Sequence, residues 1–251
     1  MNNSNVLAGK HIVFVSGEDE YDSDITLATL AKEIEESYGA RVTLLTSFPN
    51  PSFPSHIPHV ELLKEADLAV LYLRFRELPE EQLQHILTYV ESGKPIVAFR
   101  TSTHAFRYPE GHQREELNDK FGIDVLGAPW IHHFGHSSST NVSMAWGAEK
   151  HPIVQGISPF FHVRSWLYHT LPYPLEGARI LLNGHTVDPE LDNDKRRNAP
   201  RIHPVAWTRT NAWGGKVFMT TMGHPEDFHN ASFRKLVNNS IVWALLTDEE
   251  E

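Results

Sequence analysis

Four short apolar runs separated by three amphipathic stretches occupy residues 11–99, and that alternation leaves few folds open. His11 to Ser16, Arg41 to Thr46, Leu68 to Leu73 and Pro95 to Phe99 are rich in β-branched and aromatic residues, and each is short enough for a buried strand. Between the first two, Leu27, Leu30, Ala31 and Ile34 recur at helical spacing, with Asp22, Ser23 or Asp24 as cap and Gly39 as stop. Val60 to Ala66 reads as a second, short helix. Leu83, Ile86, Leu87 and Val90 make the face of a third, which starts at Pro79 and is closed by Gly93. Strands alternating with helices predict a mostly parallel sheet with right-handed crossovers, and so an α/β fold.

The remainder is less regular. Glu115 to Phe121 is compatible with a helix, Gly127 to Ser139 reads as loop, and Val142–Trp146, Arg179–Asn183, Val205–Arg209 and Lys216–Thr221 read as strands. A last helix carries Phe233, Leu236, Val237, Ser240, Ile241 and Ala244 on one face, before an acidic end, Asp248 to Glu251, expected to fray. Asp188 to Pro200 is expected to be a mobile, charged surface loop without chemistry of its own. No repeat or shift of composition divides the chain, so residues 1–251 are expected to form a single domain.

Cysteine is absent, which excludes disulfides, thiolate metal ligands and a cysteine nucleophile. A zinc ion or other divalent metal would have to be held by imidazole and carboxylate. The formal charge is −10 and no basic stripe is visible, so nucleic acid is not an expected partner. No apolar run approaches the roughly 20 residues that span a bilayer, and Met1 to Lys10 lacks the apolar core of a signal peptide. As written, the chain is expected to be cytoplasmic and free of membrane; a chain whose leader had been cleaved would read the same way.

In open α/β sheets, ligands bind beyond the carboxyl ends of the strands. At that place the strand Pro95–Phe99 runs into Arg100, Thr101, Ser102, Thr103 and His104, a cation, three hydroxyls and an imidazole. The alternative is a polar turn that caps the next segment. The strand Leu68–Leu73 ends in Arg74-Phe75-Arg76; strand alternation would put both arginines on one side, where either could grip oxygens or pair with Glu77 or Glu80. Lys216–Thr221 leads into Gly223-His224-Pro225-Glu226-Asp227, in which Asp227 either orients an imidazole or caps the final helix. His132, His133 and His136 form a third group, compatible with a ligand site or with a contact between copies of the chain in a homo-oligomer. His104, His133 and His224 are together a candidate imidazole set for a metal, although no HExxH or similar spacing is present. There is also no GxSxG elbow, GxGxxG or P-loop.

Gly93 to Phe106 and Arg74-Phe75-Arg76 resemble the ThuA-like family, named for trehalose utilisation. The likeness extends through His151-Pro152-Ile153, Pro204-Val205-Ala206-Trp207, Thr220 to Phe228 and the helix ending Ile241-Val242-Trp243-Ala244, so it covers nearly the whole chain. The resemblance implies a flavodoxin-like three-layer α/β/α sandwich, similar to class I glutamine amidotransferases. Glutaminase relatives place a cysteine at the turn where this chain has Arg100, Thr101 and Ser102, so thiolate amide hydrolysis is ruled out. Two family positions differ here: Arg100 stands where many members carry His, and Ser165-Trp166-Leu167-Tyr168 stands where they carry an acidic Asp-Glu-x-Tyr. The resemblance implies a small carbohydrate or oxidised keto-sugar as ligand. The expected crevice holds Arg100, His104 and His224 as reacting groups and Tyr21, Arg74, Arg76, Ser102, His133, Trp166 and Asp227 as binding groups. A non-catalytic sugar-binding protein or scaffold of the same fold is the alternative.

Overall fold

The computed structural model describes residues 5–170 and 177–245. The acidic end predicted to fray lies outside them. In chain order the elements are β1 (His11–Gly17), α1 (Ser23–Tyr38), β2 (Arg41–Thr46), β3 (Leu68–Leu73), α2 (Glu80–Glu91), β4 (Ile96–Phe99), α3 (Leu117–Lys120), β5 (His132–His133) and β6 (Ser139–Met144). They continue with β7 (Phe160–Val163), β8 (Tyr168–His169), β9 (Arg179–Val187), α4 (Asp194–Asn198), β10 (Ile202–Thr210), β11 (Lys216–Thr220) and α5 (Ala231–Leu245).

Nine strands form one sheet in the order β2-β1-β3-β4-β11-β10-β9-β6-β7. The first five are parallel, as a strand-helix alternation dictates, and the remaining four extend the sheet in antiparallel fashion. Because side chains alternate along a strand, each parallel strand feeds two cores. Ile12, Phe14, Val70, Val97 and Phe218 pack under α1 and α5 on one face. Val13, Val15, Ala69, Leu71, Ala98 and Met219 pack under α2 and the 121–126 segment on the other. This is the three-layer sandwich expected.

Several local readings change. Val60–Glu65 is a short 3-10 helix. The helix expected over Glu115–Phe121 is only Leu117–Lys120 and then widens into a π-helical stretch, Phe121–Leu126. Phe160–Val163 and Tyr168–His169 are strands too short for a periodic signal to mark. Asp22 is the N-cap of α1 but its side chain makes no capping bond; the buried Glu18 carboxylate instead holds the approach to the helix, accepting the N–H groups of Glu20, Tyr21 and Ser23. Asn230 caps α5, accepting from the N–H groups of Ser232 and Phe233, so Asp227 is free for another duty.

Both sheet edges are blunted by side chains. On β7 the outward carbonyls of Phe160 and His162 accept from Ser158 Oγ at 2.6 Å and Asn230 Nδ2 at 3.1 Å. On β2 the Val42 N–H donates to Glu35 Oε1 at 3.1 Å.

The π-helical stretch is pressed onto the turn after β4. A Cβ at Gly122 would stand 2.2 Å from the Thr103 carbonyl oxygen and 2.8 Å from that of Ala128, both main chain. Gly122→Ala is therefore expected to cost about 3 kcal/mol, the upper end of overpacking penalties. In urea this appears as a lower midpoint with unchanged slope. An unchanged midpoint would show that the turn yields freely.

Candidate functional site

Beyond the carboxyl end of β4 the chain turns sharply. Arg100 has φ 39° and Phe75, at the end of the neighbouring β3, has φ 51°; both are left-handed conformations that cost a non-glycine residue on the order of 1–3 kcal/mol. Strain of this kind gathers at functional sites, and here two such residues follow neighbouring strands, with the two turns joined where the Phe75 N–H donates to His104 O at 3.0 Å.

Arg100 is completely buried. Its Nη1 donates to Thr221 O at 2.9 Å and Trp166 O at 3.3 Å, and its Nη2 to the Tyr21 hydroxyl at 3.2 Å. The guanidinium carbon lies 4.4 Å from the ring centre of Tyr21, 4.7 Å from Tyr168 and 5.2 Å from Trp166. Among the described residues no carboxylate pairs with it, and Nε has no partner. Burial by itself would favour loss of the charge; the phenols of Tyr168, Tyr21 and Tyr72 outweigh this and hold the pKa above its usual value, so the group stays cationic. Burial conversely raises Tyr21, and lifts Tyr168 to about 12 against the pull of Arg100.

Around this cage stand the imidazoles. His104 packs between Phe75 and Trp130, both at 5.0 Å, and burial with the nearby Arg74 and Arg100 cations drives its pKa well below the usual value. His133 contacts Trp166 at 5.1 Å and stacks on His136 at 5.0 Å; burial and the His136 ring lower it to about 4. His224 faces Tyr21 at 6.1 Å and is lowered chiefly by burial. Arg100, Tyr21, Trp166, His104, His133 and His224 therefore form one continuous cluster.

The remaining expected residues have structural partners. Ser102 Oγ donates to Leu71 O and accepts from Leu73 N–H, splicing the end of β3. Asp227 is buried and accepts from the N–H groups of Arg164, Ser165, Gly223 and His224 and from Ser165 Oγ. Arg74 and Arg76 do not act as a pair, because the left-handed Phe75 between them breaks the strand alternation. Arg74 sits at the rim on Asp19 and Glu20, both at 3.0 Å, rather than on Glu77 or Glu80. Arg76 is buried and donates to Ser47 Oγ, Pro51 O and Phe53 O. Its guanidinium thus anchors the proline-rich 49–58 loop.

The metal expectation does not fit. Among the described residues no group of three or more His, Asp or Glu side chains is arranged to hold an ion. His133 and His224 moreover spend their Nδ1 lone pairs on the N–H groups of Gly135 and Glu226.

The charged excursion is also more than a surface loop. Glu190 accepts from the Ser137 N–H and hydroxyl, and Arg196, paired with Glu190, donates to His133 O at 3.2 Å, so it braces the His133 loop. Sequence reasoning missed Trp130, Tyr168 and Phe75 as walls of the site. The only signal was adjacency: Trp130 precedes the histidine pair and Tyr168 closes the Ser165–Tyr168 segment.

These depressed imidazoles predict acid lability. Unfolded histidines titrate near pH 6.5, whereas His104, His133 and His203 resist protonation in the fold, the latter two down to about 4. The unfolded chain then binds more protons, so their contribution to stability is intact above about pH 6.5 and is lost as pH falls toward 4. Thermal midpoints are expected to drop steadily across that window; a flat profile would show that the native rings are protonated.

The geometry can be set beside known proteins. A ThuA-like protein of Bacteroides uniformis superposes with TM-score 0.66 at 17% identity over 98% of this chain and 94% of that one. One from Parabacteroides merdae gives 0.65 at 16% over 94% and 90%. Agd3, a carbohydrate deacetylase, gives 0.52 at 14%, with 94% of this chain covering 32% of that protein. At such identities these likenesses concern the fold. A sequence search among curated proteins finds no match. The model of the ThuA family, described as trehalose utilisation, matches residues 12–244. With nearly its whole length matched, this chain belongs to the ThuA family.

Proposed function

We propose that this protein acts on an oxidised sugar bound against the cluster of Trp130, His133, Trp166 and His224. The observation that carries the reading is the buried Arg100 cation, enclosed by three aromatic rings and lacking a carboxylate among the described residues. A neutral polyol offers hydroxyls that need acceptors as well as donors, and sites for it use carboxylates. Here Asp19 and Glu20 are held by Arg74, Asp227 is occupied by main-chain N–H groups, and Glu226, whose charge reaches His224, is exposed to solvent. The crevice therefore favours a ligand that brings its own acceptors, a keto or carboxylate oxygen, with aromatic faces for the ring. Arg100 itself is sealed, so its field acts through the cage or by direct contact once Trp166 shifts. Family membership and the carbohydrate chemistry named for Agd3 agree with a sugar ligand.

Binding without turnover is the second reading, favoured by the Ser102 hydroxyl being spent on β3 and a cation standing at the turn. Calorimetry against matched neutral, keto- and carboxylated sugars, followed by mass spectrometry of the mixtures, separates the cases. Preference for oxidised sugars with new product supports the proposal, and saturable binding without product supports the second reading. Equal or stronger binding of neutral sugars would overturn both.

A further inference from the structure

The imidazoles of the crevice are not equivalent, and their neighbours reveal which nitrogen of each carries the proton. A main-chain N–H can only donate. Gly135 N–H meets Nδ1 of His133 at 3.0 Å and Glu226 N–H meets Nδ1 of His224 at 3.2 Å. Both Nδ1 atoms accept, so in the neutral rings the proton is on Nε2.

His104 is arranged the other way. The Thr103 hydroxyl donates to the Arg100 carbonyl at 3.2 Å, and the same oxygen lies 3.2 Å from Nδ1 of His104. A hydroxyl has one proton and two lone pairs. When that proton goes to the Arg100 carbonyl, Thr103 Oγ1 accepts and His104 Nδ1–H donates. Nε2 of His104 is left as a lone pair, with no hydrogen-bond partner among the described residues. Its neighbour across the Trp130 ring, His133, offers the opposite polarity.

We propose that Thr103 is a positioning residue: it holds His104 in the Nδ1–H tautomer, making Nε2 the imidazole base of the crevice, while His133 and His224 present N–H donors. The chemical role rests on the reading that an oxidised sugar binds here. With a keto-sugar, the C–H bond beside the carbonyl breaks and its proton goes to His104 Nε2. The ring, neutral in the free protein, is then paired with the enolate charge that forms beside it. The electron pair forms the enolate, whose oxygen is met by N–H donors and the Arg100 field. The sequence carried no sign of this division, because it depends on which backbone groups face each ring.

The test needs no substrate. In full-length protein labelled with 15N-histidine, long-range proton-nitrogen correlations at pH 7.5 distinguish protonated from bare ring nitrogens, with His104→Gln, His133→Gln and His224→Gln giving the assignments. His104 is expected with a bare Nε2, and His133 and His224 with a bare Nδ1. Thr103→Val, which keeps the shape and removes the acceptor, should move His104 to Nε2–H or to a mixture, and Thr103→Ser should restore the original pattern. Nε2–H on His104 in the unaltered protein, or an unchanged spectrum in a folded Thr103→Val protein, overturns the inference. The tautomers are read without ligand, so a failed sugar screen leaves this result standing. Sugar turnover together with the opposite tautomer would defeat this inference alone.

Discussion

Asp227→Ala is expected to lower the thermal midpoint by about 10 °C. The carboxylate is buried and collects main-chain N–H groups from two distant segments, Arg164 and Ser165 on one side and Gly223 and His224 on the other, together with the Ser165 hydroxyl. Hydrogen bonds to a charged acceptor are stronger than neutral ones, and removing the acceptor leaves several buried donors without a partner. Breaking such a group costs on the order of 3–5 kcal/mol, and each kcal/mol moves the midpoint of a chain this size by about 2–4 °C. Asp227→Asn keeps the shape and one acceptor oxygen, so it should fall between the two. Calorimetric midpoints check the series. A loss below about 2 °C in Asp227→Ala would mean that water replaces the carboxylate and that the two segments hold each other by other contacts.

Arg100→Met is expected to have the opposite profile, leaving the midpoint unchanged or raising it by a few degrees while weakening the oxidised-sugar binding proposed above by about 100-fold. A buried charge without an acidic partner is costly to desolvate; the phenols around Arg100 compensate that cost, and an apolar side chain of similar length removes cost and compensation together. The carbonyls of Trp166 and Thr221 lose a donor, which partly offsets the gain. Residues retained for function commonly lower stability in this manner. Differential scanning calorimetry and titration with the best sugar from the panel measure both halves. A midpoint that falls by 10 °C would identify Arg100 as a structural keystone instead.

The contrast between these two residues shows what the sequence could convey. The parallel half was legible because strands buried on both faces are continuous apolar runs, and β1, β2, β3 and β4 lie within a residue or two of where those runs predicted them. The gathering of Arg100, His104 and His224 into one cluster was also legible in outline, since all three follow strands at their carboxyl ends. What encloses Arg100 was not. Its hydrogen-bond partners lie 66 to 121 residues away in sequence, and no local pattern encodes such contacts. The arginine pair was misread for a different reason. Strand alternation holds only while the backbone stays extended, and Phe75 leaves that region, sending Arg74 to the rim and Arg76 under the proline-rich loop. Asp227 illustrates a third limit: a carboxylate before a helix reads as its cap, whereas this one joins the Arg164–Ser165 segment to the turn after β11.

The blunted sheet borders bear on how the molecule behaves in company. An open border with free carbonyls is a template on which another chain can lay a strand, the first step toward fibres. Ser158 and Asn230 occupy two outward carbonyls of β7, and Glu35 occupies one donor on β2, so a passing strand finds fewer docking groups there. The exposed Trp146 and Phe160 at the β7 border offer adhesion through side chains, without continuing the sheet.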